Sequence, residues 1–252
     1  MIDQTTAQNL SVQASDDAAL RALLHGSLAP VRAADPGTVV IDELGICRGQ
    51  VRVDVALVNG HLHGFELKSA RDTIRRLPRQ VEFYSAVLDR ATLVTTESHL
   101  AAALPVLPEW WGVRVVIDDP ASGFRIIHHR AESANPHVDA RALAELLWYD
   151  EALSLLEARE AARGVRGKAR WVVWDRLAQT LSLSDLRGAV RKALKARSRQ
   201  PTVPQQRLDD VLSTGDAKRP MIQAPEPLMR QPVPRHIRGN DLCPKNAREV
   251  AR

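Results

Sequence analysis

Val51-Arg-Val-Asp-Val-Ala-Leu-Val-Asn-Gly-His-Leu-His-Gly-Phe-Glu-Leu-Lys68 is the stretch around which the rest of the chain is organised. On each arm apolar residues alternate with the others, the period of a half-buried strand. Asn59-Gly60 marks the turn, because both residue types tolerate positive φ. A two-residue loop there sets Asp54 opposite Phe65 and Val53 opposite Glu66, mixing polar with apolar side chains on both faces. A three-residue loop ending at His61, or a bulge near Gly64, shifts the pairing by one. Asp54 then faces Glu66 and Arg52 faces Lys68, while Val51, Val53, Val55, Leu57, Phe65 and Leu67 share the other face. Burial of that apolar face selects this register, which leaves two carboxylates and a lysine within cross-strand reach.

Working outward, Ser15-Asp16-Asp17 caps a helix running to about His25, with Leu20, Leu23 and Leu24 at helical spacing. Pro30 and Pro36-Gly37 bracket a loop, and Thr38–Ile41 reads as a strand that leads to Asp42-Glu43. Beyond Lys68 a short helical turn precedes a helix from Pro78 to Leu88, with Val81, Tyr84 and Leu88 on one face and Gln80 one turn before Tyr84. Strands at Ala91–Thr96, Val113–Ile117 and Phe124–Ile127 follow, with a helix around Ser98–Leu104 between the first two. From about Asp139 to Arg199 the pattern is continuously helical: one long helix through Leu143–Leu156, then Trp171–Gln179 and Ser184–Ala196, the last capped by Ser184. The expected fold is α/β, a restriction-endonuclease-like mixed sheet flanked by helices, followed by a helical segment and a disordered tail. The expected divisions are a disordered N-terminus at 1–14, a nuclease-like domain at 15–138, a basic helical region at 139–199, and a Pro-rich disordered tail at 200–252 holding eight of fifteen prolines.

At 252 residues, with 44% hydrophobic and 26% charged residues, the chain suits a soluble globular protein with a full core. It has no apolar run of membrane-spanning length and no signal-peptide pattern at its start. Cys47 and Cys243 stand in unlike contexts, so a disulfide is not expected and a reducing cytoplasm fits best. The net charge of +5 is uneven: −3 over residues 1–138, +5 over 139–200 and +3 over 201–252. Any surface for polyanions is therefore expected in the second half, although a solvated helical face explains most of those charges equally well.

Two carboxylates on adjacent strands can hold a hard cation such as Mg²⁺, or Mn²⁺ in its place, and the Leu67 carbonyl can add an oxygen. Lys68 shares Glu66's face by the strand period, where its ammonium reaches a metal-bound water or a phosphate oxygen. The bland alternative for Asp54, Glu66 and Lys68 is a salt-bridge ladder on an exposed sheet face.

Asp54…Glu66-Leu67-Lys68 on a hairpin resembles the core motif of the PD-(D/E)XK nuclease superfamily. Gln80-Val-Glu-Phe-Tyr84 is similar to the Gln-x-x-x-Tyr element of its RecB-like members, and Glu43 matches an additional upstream acidic residue. The likeness covers roughly residues 15–130. It is strongest to a bacterial family with Glu-x-Lys-Ser followed by Leu-Pro-Arg-Gln, here Leu77-Pro78-Arg79-Gln80. The resemblance implies a Mg²⁺-dependent phosphodiesterase acting on DNA, or on RNA. Asp54 and Glu66 would be metal ligands, and Lys68 would activate or orient the attacking water. Glu43 would assist the metal or neutralise Lys68, while Gln80 and Tyr84 would position the site. Val53 stands where many members have proline. A fold does not confer its function, so a catalytically inactive nuclease-fold protein that binds DNA or a protein partner stays open beside the enzyme.

For nucleic acid, Arg79 on the Gln80 helix and the basic, glycine-containing link Arg163, Arg166, Lys168, Arg170 are the candidate phosphate contacts. The two helices after that link loosely resemble a helix-turn-helix, with Arg187, Arg191, Lys192 and Lys195 on the second; an ordinary helical hairpin explains them better. The expected partner is DNA, with a homodimer left open and no membrane. His128, His129 and His137 lack ligand companions, the tryptophans read as core anchors, and Cys47 as a buried thiol.

Overall fold

The computed structural model describes residues 16–119 and 123–199, so the expected disordered ends, Ser15 and Cys243 lie outside the described residues. Six strands form one mixed sheet in sequence order: β1 (Val39–Ile46), β2 (Val51–Val58), β3 (Leu62–Lys68), β4 (Arg90–Thr96), β5 (Gly112–Asp119) and β6 (Gly123–Arg130). The β1–β2–β3 meander is antiparallel, β3–β4–β5 is parallel, and β6 returns antiparallel to β5. Helices α1 (Asp17–Ala34), α2 (Leu77–Val87) and α3 (Glu97–Ala103) flank it, and α4 (Ala140–Ala144), α5 (Tyr149–Glu157), α6 (Arg170–Thr180) and α7 (Leu183–Ser198) follow. The α/β architecture read from the sequence is what the chain adopts.

The hairpin register is the expected one. Val55 pairs with Phe65 and Val58 with Leu62, so Asn59, Gly60 and His61 form a three-residue loop. Helices bury both faces of β3, all seven of whose residues are buried. On one side Leu20, Leu24 and Leu28 of α1 pack on Val55, Leu57, Phe65 and Leu67. On the other, α2 and the helices α4 to α7 share a single larger core with Val53, Ala56, Val58 and Leu62. Gly64 faces this second side because α2 ends there: a Cβ would lie 2.4 Å from Leu88 Cδ1 and 3.0 Å from Val53 Cγ1.

Val51 and Val53 depart from the expected face. They pack on the α2 side, with Ala56, instead of sharing a face with Val55 and Leu57. The alternation breaks at Asp54, next to the point in β1 where Glu43 has φ of 55°. The β1–β2 pairing runs to Asp42–Val55 and resumes at Leu44–Val53, skipping Glu43 and Asp54. A non-glycine residue in this left-handed region is costly and marks a locally imposed geometry.

Three boundaries also differ. Pro30 lies inside α1 rather than in a loop. Its missing N–H and ring clash cost about 3 kcal/mol, which the burial of three leucines, roughly 1.5–3 kcal/mol each, outweighs. The long helix expected through 143–156 is two: Trp148 is extended at ψ 159°, the Leu147 carbonyl accepts the Trp174 indole N–H at 3.0 Å, and Glu151 accepts the Trp148 N–H at 2.8 Å. The cap of α7 is Ser182, whose hydroxyl accepts the Asp185 N–H at 3.1 Å, not Ser184. No helix among the described residues is long and apolar enough to cross a membrane.

Candidate active site

The β2–β3 ladder ends at Val55–Phe65, and beyond it the two strands splay. There the Asp54 carboxylate takes the place of a ladder carbonyl, its Oδ2 accepting the Leu67 N–H at 2.7 Å. Other side chains meet the freed carbonyls of β2. Arg21 Nη1 donates to the Asp54 oxygen at 2.5 Å, and the Tyr84 hydroxyl lies 3.1 Å from that of Arg52. Strand alternation puts Glu66 and Lys68 on the α2 side, under Gln80 and Tyr84.

Glu66 is the centre of the arrangement, at 0% exposure. Its Oε1 accepts from Lys68 Nζ and from Gln80 Nε2, each at 2.5 Å, and its Oε2 accepts from the Tyr84 hydroxyl at 2.6 Å. The Tyr84 ring is fixed by stacking on Trp111, with centroids 5.4 Å apart. A buried carboxylate needs such compensation, since an unpaired one would be neutralised instead. Burial first, then the Glu66 charge, pushes the Tyr84 hydroxyl well above the ordinary tyrosine range, so it stays a donor.

Asp54 is pushed up to about 7, by burial first and then by the Glu66 charge; the Leu67 N–H and Lys68 oppose the shift. The buried Glu66 and the partly buried Asp54 thus lie near one ammonium, which is paired with Glu66. The Gln80 Oε1 is buried beside them with no hydrogen-bond partner. Oxygen donors with an excess of negative charge suit a hard cation, which takes one or two carboxylates and completes its shell with water. Among the described residues no three His, Cys, Asp or Glu side chains cluster as a ready-made cage. A divalent ion at Asp54 and Glu66 would therefore be largely hydrated.

The structure thus brings together Asp54, Glu66, Lys68, Gln80 and Tyr84. Glu43 is not hydrogen-bonded to Glu66, Lys68, Gln80 or Tyr84, and its carboxylate is engaged by Arg21 at 2.5 Å and Arg52 at 3.3 Å, but its charge adds to the upward push on Asp54. Arg79 is exposed on α2 with its guanidinium over the Phe83 ring at 5.5 Å. In the link between α5 and α6, Arg166 pairs with Glu157 at 3.0 Å, and Arg163 shares a cleft with Glu157 and Glu160. Lys168 is exposed, and Arg170 lies over the Trp174 ring at 5.6 Å. The mixed charge there weakens the case for that link as a phosphate track.

Sequence reasoning missed the rim. Arg21 of α1 ties Asp54's backbone to Glu43. Asp17, one turn earlier, and Asp72, after β3, flank Lys68; burial and then the Asp72 charge raise the Asp17 pKa. Asp72 also accepts from the Ser69 N–H and hydroxyl, each at 2.7 Å, and His99 Nε2 lies 2.9 Å from the Ser69 carbonyl. Nothing in a single sequence brings an arginine on a leucine-faced helix to a strand 33 residues on. Cys47 is an inert thiol, pushed up to about 12 by burial and then by the charge of Glu145.

Protein cII of Enterobacteria phage P4 is 33% identical over 55 residues, 22% of this chain and 21% of that protein, so about a fifth of its length is matched. Among solved structures, the SPO1766 protein of unknown function from Silicibacter pomeroyi is similar over 58% of this chain and 92% of its own, at 21% identity and a TM-score of 0.35. The family model described as Bacteriophage P4 protein cII matches residues 17–205, and the chain belongs to that family.

Proposed function

We propose that this chain is a metal-dependent nuclease of the PD-(D/E)XK type, hydrolysing phosphodiester bonds in DNA. One observation carries the reading: Lys68, Gln80 and Tyr84 converge on the buried Glu66 carboxylate where β2 and β3 splay beside Asp54. A strongly perturbed carboxyl with named charge partners is what catalytic sites are built from. Asp54 and Glu66 would hold Mg²⁺ or Mn²⁺, and that ion supplies charge neutralisation at phosphate and a more acidic water. Lys68 supplies a cation within reach of a phosphate oxygen and orients the attacking water. Tyr84 and Gln80 keep the Glu66 oxygens aimed, and Arg21 fixes the backbone of Asp54. The test is cleavage of plasmid and oligonucleotide DNA with Mg²⁺ or Mn²⁺. Activity is expected in the wild type and is lost, with the fold retained by circular dichroism, in Asp54→Asn and Lys68→Met. Undiminished cleavage by Asp54→Asn sinks the assignment.

A second reading, a non-catalytic nuclease-like fold that binds DNA or a protein, is favoured by the saturation of Glu66: both its oxygens already accept protein donors at full burial. DNA binding without metal-dependent cleavage of any of these substrates selects it.

A further inference from the structure

At the end of β3 away from Glu66, the hairpin residue Asn59 and one side of α7 enclose a concavity of about 460 Å³. Gly188, Arg191, Lys192, Lys195 and Arg199 line it, and no acidic residue does. From Arg191 to Arg199 the cations cover about 12 Å of helix. Arg191 reaches Asp89 at 3.4 Å, but that carboxylate is already engaged by Arg187 at 2.8 Å and by the Leu62 N–H at 2.8 Å. Among the described residues Lys192, Lys195 and Arg199 form no ion pair; Lys195 adds the smallest of the influences on Asp35, whose pKa is lowered first by the Gly37 N–H. Among the described residues, then, no carboxylate is ion-paired with these three cations.

Gly188 points the same way. Glycine within a helix sacrifices stability, and here packing does not call for it, since a Cβ at 188 would meet nothing within 4 Å. A bare helix surface flanked by cations admits an anionic backbone close to the helix. The start of α7 is unsuited to reading bases, because Asp185 sits in its first turn and Arg187 is turned to Asp89; base-reading helices present that end to the groove.

We propose that this side of α7, with Asn59, is a docking surface for the phosphate backbone of duplex DNA. It lies roughly 15 Å from Glu66 along β3, at about 3.3 Å per strand residue. It requires no chemistry at Glu66, so it stands or falls apart from the nuclease reading.

The test measures binding of the full chain to a short fluorescent duplex over a range of salt, with no divalent ion present. Lys192→Gln/Lys195→Gln/Arg199→Gln should weaken binding on the order of tenfold or more and reduce the slope of log K against log salt by about 2 to 3. Arg163→Gln/Arg166→Gln, with its mixed-charge surroundings, should leave the slope unchanged. Gly188→Leu should raise the melting temperature while weakening DNA binding. An unchanged slope in the triple variant overturns the proposal, as does full affinity in a folded Gly188→Leu protein. Wild-type binding to phosphatidylserine vesicles in preference to DNA overturns it too, assigning the stripe to a membrane surface.

Discussion

Asp54 and the buried His63 carry large pH signatures of opposite sign. The folded Asp54 value of about 7 lies above the ordinary 3.8, so between these pH values the folded chain holds a proton that the unfolded chain has lost. The Asp54 contribution to the stability of the metal-free protein therefore falls as pH rises through that window and levels off above it, by up to about 4 kcal/mol for a shift of this size. His63, lowered from 6.5 to about 3 first by burial, contributes in the opposite sense. Urea titrations from pH 4 to 8 should show stability rising more steeply with pH in Asp54→Asn than in the wild type, the difference being the Asp54 contribution; equal slopes would place the proton elsewhere. Tyr84→Phe removes the donor to Glu66 Oε2 and should cost about 1–3 kcal/mol, the range for leaving a buried acceptor without its partner. Denaturant midpoints check it, and a neutral substitution would mean that Glu66 is satisfied without Tyr84. Much of this cluster was legible in the sequence, because Asp54, Glu66 and Lys68 are tied together by strand period and register. Arg21 was not, because its contact depends on how α1 crosses the sheet.

At the scale of elements, the hairpin loop determines the site. The three residues Asn59 to His61 set the pairing that puts Asp54 beside Glu66, and this was readable because only one register buries the Val55, Leu57, Phe65 and Leu67 set together. What escaped was the reversal at Val53. Alternation assumes an unbroken strand, and the Glu43 distortion on the neighbouring strand β1, opposite Asp54, interrupts it. The Pro30 and Trp148 boundaries escaped for a related reason: local propensity was overruled, once by burial of α1 and once by the hydrogen bond from Trp174 to Leu147. Gly64→Ala tests the closeness of α2 to β3. The added methyl meets Leu88 and Val53 in a filled core, and overpacking of this kind costs about 1–3 kcal/mol. A drop in denaturant midpoint is expected, and Leu88→Ala should cost less in the Gly64→Ala background than on its own; an unaltered midpoint in the single variant would show that the core yields freely there.

Across the whole molecule, the helices after β6 are part of the core rather than an appendage. Leu186, Val190 and Leu194 of α7 are buried in the same cluster as Val53, Tyr84 and Trp111. Ending the chain at residue 181 should therefore abolish cooperative unfolding of the sheet as well, seen as loss of the near-ultraviolet signal of Trp111. A truncated chain with an intact transition would separate the two parts. The sheet also keeps its two surfaces of interest at opposite ends of β3, one around Glu66 and one around Asn59. The Leu67 amide, donated to the Asp54 carboxylate instead of to a strand carbonyl, lies at the first of these and away from the second. In a nuclear magnetic resonance spectrum it is a built-in reporter: its proton resonance should titrate with Asp54, shift when a divalent ion arrives, and ignore DNA held on α7 alone.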